Sequence, residues 1–150
     1  MTGSEEPAIN GIFSYVTGRP FTVTASGASL NAPGNGQTAD LVGSPDKLGG
    51  IGPGQPYYAT NAWAPVTDVR FGNTGRNTMR GPGWGNLDLS LFRKFPIKKI
   101  SLEARVEAFN VTNTPHFRNP NGDVGSSGFM TITGAQGDER QIRLGARLEF

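Results

Sequence analysis

Apolar and polar side chains alternate with period two through the last residues of the chain, IRLGARLEF. Ile142, Leu144, Ala146, Leu148 and Phe150 fall on one face, and Arg143, Gly145, Arg147 and Glu149 on the other. The stretch ISLEARVEAF repeats the pattern, setting Ile100, Leu102, Ala104, Val106 and Ala108 against Ser101, Glu103, Arg105, Glu107 and Phe109. Leu87, Leu89 and Leu91 alternate with Asn86, Asp88 and Ser90, and INGIFSYV near the start is a weaker fourth run. Strands are therefore predicted over about 9–17, 86–95, 99–110 and 140–150. Charged residues inside a strand need a wet or paired face. The pattern fits either a half-buried sheet or a membrane barrel with lipid outside and a polar lumen within.

The connections between these runs are unequal. Pro96 cannot donate to a ladder, so Pro96 and Ile97 are expected to form a tight hairpin turn. The stretches 21–85 and 111–138 are dense in Gly, Pro, Asn and Asp and are expected to be long loops. Compact domains favour connections of about 4 to 6 residues. Tight turns at one end and long loops at the other are the habit of outer-membrane barrels. With Phe150 at the periplasmic rim, the alternating strand directions send both long segments to the outer side.

Charge fixes a register. Pairing the last two strands antiparallel, with residue numbers summing to about 250, sets Glu107 opposite Arg143 and Glu103 opposite Arg147. Arg105 then faces Gly145, which leaves room for it. Opposite charges across a sheet contribute about 0.2 to 1 kcal/mol per pair, enough to bias register. Glu103, Arg105, Glu107, Arg143, Arg147 and Glu149 form the candidate lumen-facing charge ladder.

Composition narrows the function classes. Gly 22 and Pro 11 exceed a fifth of the 150 residues, and hydrophobic residues are 35%. The net charge of +2 with dispersed Lys and Arg marks no nucleic-acid surface. Arg93, Lys94, Lys98 and Lys99 are the densest basic patch and read first as a solvated turn, second as a phosphate or lipid-headgroup contact. The absence of cysteine removes disulfides and thiol chemistry. MTGSEEPAING carries no secretory signal, and no apolar run approaches the ~20 residues of a membrane helix.

No enzymatic motif stands out, and no cofactor is expected. Glu103 and Glu107 would stand about 13 Å apart along a strand, beyond the ~5 to 9.5 Å of glycosidase pairs. His116 is the lone histidine. Asp40, Asp46, Asp123 and Asp138 lie in Gly-rich stretches without the spacing of a calcium loop, so turn capping is their default role. Trp84 is a candidate membrane-interface aromatic, and Trp63 either shares that role or packs loops together. Asn110, Val111 and Thr112 match a glycosylation acceptor.

Four stretches in this order, GIFSYVTGRPFTV at 11–23, FGNTGRNTMRGPGWGNLDLSLFRKFPI at 71–97, LEARVEAFNVTNTPHFRNPN at 102–121 and RQIRLGARLEF at 140–150, resemble the carboxy-terminal end of TonB-dependent outer-membrane receptors of the Oar-like type, which carry an amino-terminal carboxypeptidase-regulatory-like domain. The resemblance covers nearly the whole chain. It implies an all-β fold in which residues 1–150 supply about four antiparallel strands at the end of a barrel of about 22. It also implies the outer membrane of a Gram-negative-type bacterium, an internal plug and energised uptake through TonB. The implied partners are the rest of the barrel and plug, outer-membrane lipid, TonB through a region not seen here, and the barrel assembly machinery, which would read Phe150. No plug or TonB-contacting segment is recognisable in the chain, so it reads as the end of a receptor. The competing expectations are a soluble all-β binding or surface domain, in which the aliphatic faces form a sandwich core, and a non-functional gene fragment.

Overall fold

The computed structural model describes residues 6–137 and 139–150. The first five residues of the amino-terminal stretch and Asp138 lie outside them. The strands are β1 (Ala8–Val16), β2 (Pro20–Phe21), β3 (Thr24–Ser26), β4 (Gly36–Thr38), β5 (Asp40–Leu41), β6 (Trp63–Ala64), β7 (Met79–Arg80), β8 (Trp84–Ile97), β9 (Ile100–Phe109) and β10 (Gln141–Glu149). They divide between two compact units. One comprises the chain up to Val16, Trp84–Pro115 and Gly137–Phe150; the other comprises Thr17–Gly83 and His116–Gln136.

The first unit is a four-stranded antiparallel sheet in the order β1-β8-β9-β10. Its strands of 9, 10 and 9 residues match the ~9 to 11 that cross a bilayer, and β8, at 14, exceeds it. β10 pairs with β9 in the register the charges predict: Arg143 opposite Glu107, Gly145 opposite Arg105, and Arg147 opposite Glu103. Phe150 follows the last strand and is 95% exposed.

The hairpin departs from expectation. β8 runs on through Pro96 and Ile97, which pair with Ser101 and Ile100, and the turn is Lys98 and Lys99. Lys98 adopts a left-handed φ of 56°, the backbone a two-residue hairpin demands. In such a hairpin Ile97 and Ile100 form the hydrogen-bonded pair, so the nitrogen of Pro96 points away from β9. Among the described residues β1 pairs with β8 no further than Phe92, so the proline's missing N–H interrupts none of the ladder bonds described on that side.

The long stretches depart further. They do not remain loops but build the second unit around a core of Phe21, Val23, Ala25, Ala39, Tyr57, Tyr58, Ala62, Trp63, Met130 and Ile132. Rings meet edge to face, Tyr57 with Tyr58 at 5.1 Å and Trp63 with Phe129 at 6.0 Å, a geometry that adds about 0.5 to 1.5 kcal/mol per pair beyond burial. Three two-stranded ribbons, β2 with β7, β3 with β4 and β5 with β6, supply the short regular pieces. The second stretch is stitched to the first through its backbone: Tyr57 N–H donates to Met130 O at 2.8 Å, Gly52 N–H to Ile132 O at 3.0 Å, and Thr24 N–H to Gly122 O at 2.8 Å. Gly72 runs so close to the carbonyls of Thr38 and Ala39 that a Cβ there would collide with backbone. Gly72 thus serves tight chain passage.

Candidate functional site

Strand alternation places the chemistry of the sheet. The continuous registers put Asn86, Asp88, Ser90, Phe92 and Lys94 of β8 on one face with the odd-numbered residues of β9 and β10. The opposite face carries Leu87, Leu89 and Leu91, the even-numbered aliphatics of β9 and β10, and Ile9, Phe13 and Tyr15 of β1. β1 alternates less cleanly, since Ile12 and Val16 join the polar face.

In β8 exposure inverts the order of a soluble sheet. In β8 the apolar Leu89, Leu91 and Phe95 are exposed, whereas Asp88, Ser90 and Lys94 between them are half-buried. Ile142, Leu144 and Leu148 are 66%, 79% and 56% exposed, so among the described residues no second layer covers this face. The sandwich core expected of a soluble domain is not formed by these rows.

The charge ladder is assembled, but its ion pairs run along strands rather than across them. Arg105 Nη2 lies 3.0 Å from Glu103 Oε1 and Nη1 lies 3.7 Å from Glu107 Oε1, both on β9; Arg147 meets Glu149 at 3.2 Å on β10. Arg143 stands over the Phe109 ring at 4.9 Å and donates to Gln141 Oε1 at 3.5 Å. The cause is steric. Gly145 leaves space opposite Arg105, which lets one guanidinium span two glutamates of its own strand, and the Phe109 ring offers Arg143 a flat partner. With the arginines 46% and 70% exposed, such pairs contribute about 0 to 1 kcal/mol each. Asp88, Glu103, Glu107 and Glu149 are offset by Lys94, Arg105, Arg143 and Arg147, so the face is charged but balanced. A depression of about 380 Å³ lies along Glu103, Arg105, Glu107, Gly145, Ala146 and Arg147.

At the end of the sheet opposite the lysine turn, a polar knot missed in the sequence closes the face. Asp88 Oδ1 accepts from Asn86 Nδ2 at 2.9 Å and from Asn110 N–H at 2.8 Å. Asn110 has φ of 50° and is buried, and its amide exchanges bonds with Thr114 in both directions. Its side chain is thus committed to the fold, against a role as a glycan acceptor. Its signal in the sequence was an Asn directly after a strand, where a left-handed residue is needed. Trp84 opens β8 at the same end and lies by alternation on the polar face. The aromatics there on the apolar face are Tyr15 and Phe13, whose rings flank Gly85 at 3.7 and 3.8 Å from where a Cβ would stand.

An outer membrane beta barrel domain family matches residues 8–143. The chain belongs to this family. No curated protein and no solved structure matches it. The match spans β1, β8, β9, the first residues of β10 and the Gly-rich stretches between them, and the antiparallel sheet agrees with a barrel domain.

The second unit of the barrel domain holds one further charged arrangement that the sequence did not disclose. Arg70 grips Asp40 through two bonds, Nη1 to Oδ1 at 2.8 Å and Nη2 to Oδ2 at 2.7 Å, while Asn73 N–H donates to Oδ1 at 3.1 Å. The Arg70 bond foremost, aided by the Asn73 N–H, holds the Asp40 carboxyl below the usual carboxylate range despite the opposing effect of burial. Asp46 accepts from Ser44 Oγ, and Asp123 accepts from Gly125 N–H, the capping roles of short polar residues in turns. Trp63 packs in the core of this unit and lies 6% exposed.

Proposed function

We propose that the chain forms the last four strands of a large outer-membrane barrel, of about 22 strands, that in the intact protein takes up an unidentified substrate by a TonB-dependent route. The observation that carries the membrane part is the inverted exposure of β8, with leucines out and Asp88, Ser90 and Lys94 sheltered. A polar, balanced face suits a water-filled or plugged lumen, because isolated charge there would demand a partner. The lysine hairpin is then the periplasmic turn, and both insertions leave from the outward end of the sheet. Tyr15 and Phe13 take the outer interfacial position, and Phe150 is the residue offered to the assembly machinery.

The transport reading is supported by the resemblance of the four quoted stretches to Oar-like receptors. It is tested by sequencing the reading frame upstream of Met1. An in-frame plug domain, further alternating strands and a signal peptide are expected. A stop codon followed by an independent start would remove TonB-dependent transport and leave a separate barrel segment or gene remnant.

A further inference from the structure

The apolar face carries one charged residue. Along the strands, Ile9 to Tyr15, Leu87 to Ile97, Ile100 to Ala108 and Ile142 to Leu148, every position on this face is uncharged except Arg93. Its register neighbour on β9 is Ala104, and its same-face neighbours on β8 are Leu91 and Phe95, so none of these described neighbours is a carboxylate. Among the described residues no ion pair engages Arg93, Lys98 or Lys99. Lys94, the remaining cation of the patch, belongs to the other face, opposite Glu103.

The geometry gives Arg93 a direction. Its guanidinium carbon lies 5.2 Å from the centroid of the Phe95 ring, two residues nearer the turn, so the charged head leans toward the hairpin end that carries Lys98 and Lys99. Four residues of tilted strand separate Arg93 from Ile97, roughly 10 Å along the membrane normal. An arginine stem covers much of that span by snorkelling, which leaves the aliphatic part in hydrocarbon and the charge at headgroup level. Three cations near one rim, none ion-paired among the described residues, on a face otherwise built for acyl chains, complement an anion tethered to an acyl chain.

We propose that Arg93, Lys98 and Lys99 bind the phosphate of a phospholipid in the leaflet at the hairpin end, its acyl chains lying along Leu91, Phe95 and Ile100. This rests on the assignment of that face to lipid. Arginine provides the planar fork for phosphate oxygens and the turn lysines act as point charges.

The test uses the full chain in a non-ionic detergent with phosphatidylglycerol as the probe, retained lipid being counted by native mass spectrometry. One tightly held lipid is expected, with affinity falling roughly fivefold for each cation neutralised, and so about a hundredfold for R93Q combined with K98Q and K99Q. The K98Q/K99Q pair lies wholly in an exposed turn and tests the site without disturbing the sheet. R93M, which keeps a long apolar stem without the charge, should lose as much affinity as R93Q, whereas a purely packing role for the stem would leave it at the parent's level. Equal lipid retention by all variants would overturn the headgroup site while leaving the lipid face intact. Displacement of the lipid by millimolar inorganic phosphate would also overturn it, assigning the cations to a free anion. A chain that stays monodisperse in buffer and takes up no detergent would overturn the lipid-face assignment itself.

Discussion

The two units of this barrel domain use the same kinds of apolar side chain in opposite ways. In the Gly-rich unit Val23, Ala39 and Met130 are fully buried among aromatic rings; in the sheet Leu144 and Ile142 stand mostly exposed. A water-soluble unit gains its stability by removing apolar area from water, about 25 cal/mol per Å². A sheet that leaves comparable side chains outside suits the apolar surroundings proposed for it. The Gly-rich unit also exposes Leu48, Val69 and Phe71, so the contrast lies in its buried core, to which no described residue of the sheet contributes, and substitution at matched positions separates the two cases.

The largest effect is expected in the core of the Gly-rich unit. Trp63→Ala removes a ring that packs against Tyr58 and Phe129, and should cost about 3 to 5 kcal/mol of that unit's stability. Hydrogen exchange across 17–83 would register the loss, while protection in β8 to β10 persists. Next is Leu144→Arg on the lipid face, expected to cost about 2 to 4 kcal/mol if that position sits near the bilayer midplane. Urea titration in lipid vesicles measures it, and a neutral result there would break the comparison. Leu144→Ala, by contrast, should cost less than about 1 kcal/mol, because lipid closes over the gap that a protein core would keep.

Acidity should weaken the Asp40 clamp of the Gly-rich unit. Arg70 holds Asp40 below its ordinary value of 3.8, so the folded state binds its proton less readily than the unfolded chain. The stabilisation is therefore complete above pH 3.8 and declines as pH falls through the lower folded value. Exchange at the amides of Leu41 and Asn73, both tied to this cluster, should accelerate below pH 3.8. Asp40→Asn should abolish that pH dependence. The smallest effect belongs to the ladder: a double-mutant cycle of Glu103→Gln with Arg105→Gln should yield a coupling of about 0.2 to 1 kcal/mol.

The same contrast decides what was legible in the sequence. Alternation over nine or more residues identifies a strand, and the charges of Glu103, Glu107, Arg143 and Arg147 fixed the β9 to β10 register. They did not fix the rotamers, because Gly145 and Phe109 redirected the arginines to partners along their own strands. Pro96 was read as a turn since it breaks ladders, yet it lies past the paired length of β1, where a missing donor has no consequence. The Gly-rich unit was hidden for a different reason. Its strands are two or three residues long, too short for any period, and its core is gathered from distant single residues such as Val23, Tyr58, Trp63 and Ile132. The adjacent Tyr57 and Tyr58, with Trp63 shortly after, were the available hint, since a solvated loop has little use for three large rings. The Asp40–Arg70 clamp spans 30 residues and left no local pattern.

Site-directed fluorescence along β10 tests the central claim most directly. The chain has no cysteine, so single cysteines at 142, 143, 144, 147 and 148 can each carry one probe in lipid vesicles containing brominated acyl chains. Quenching should alternate with period two, strong at 142, 144 and 148 and weak at 143 and 147. Uniform quenching, or an alternation favouring the arginine positions, would contradict the assignment of the aliphatic face to lipid.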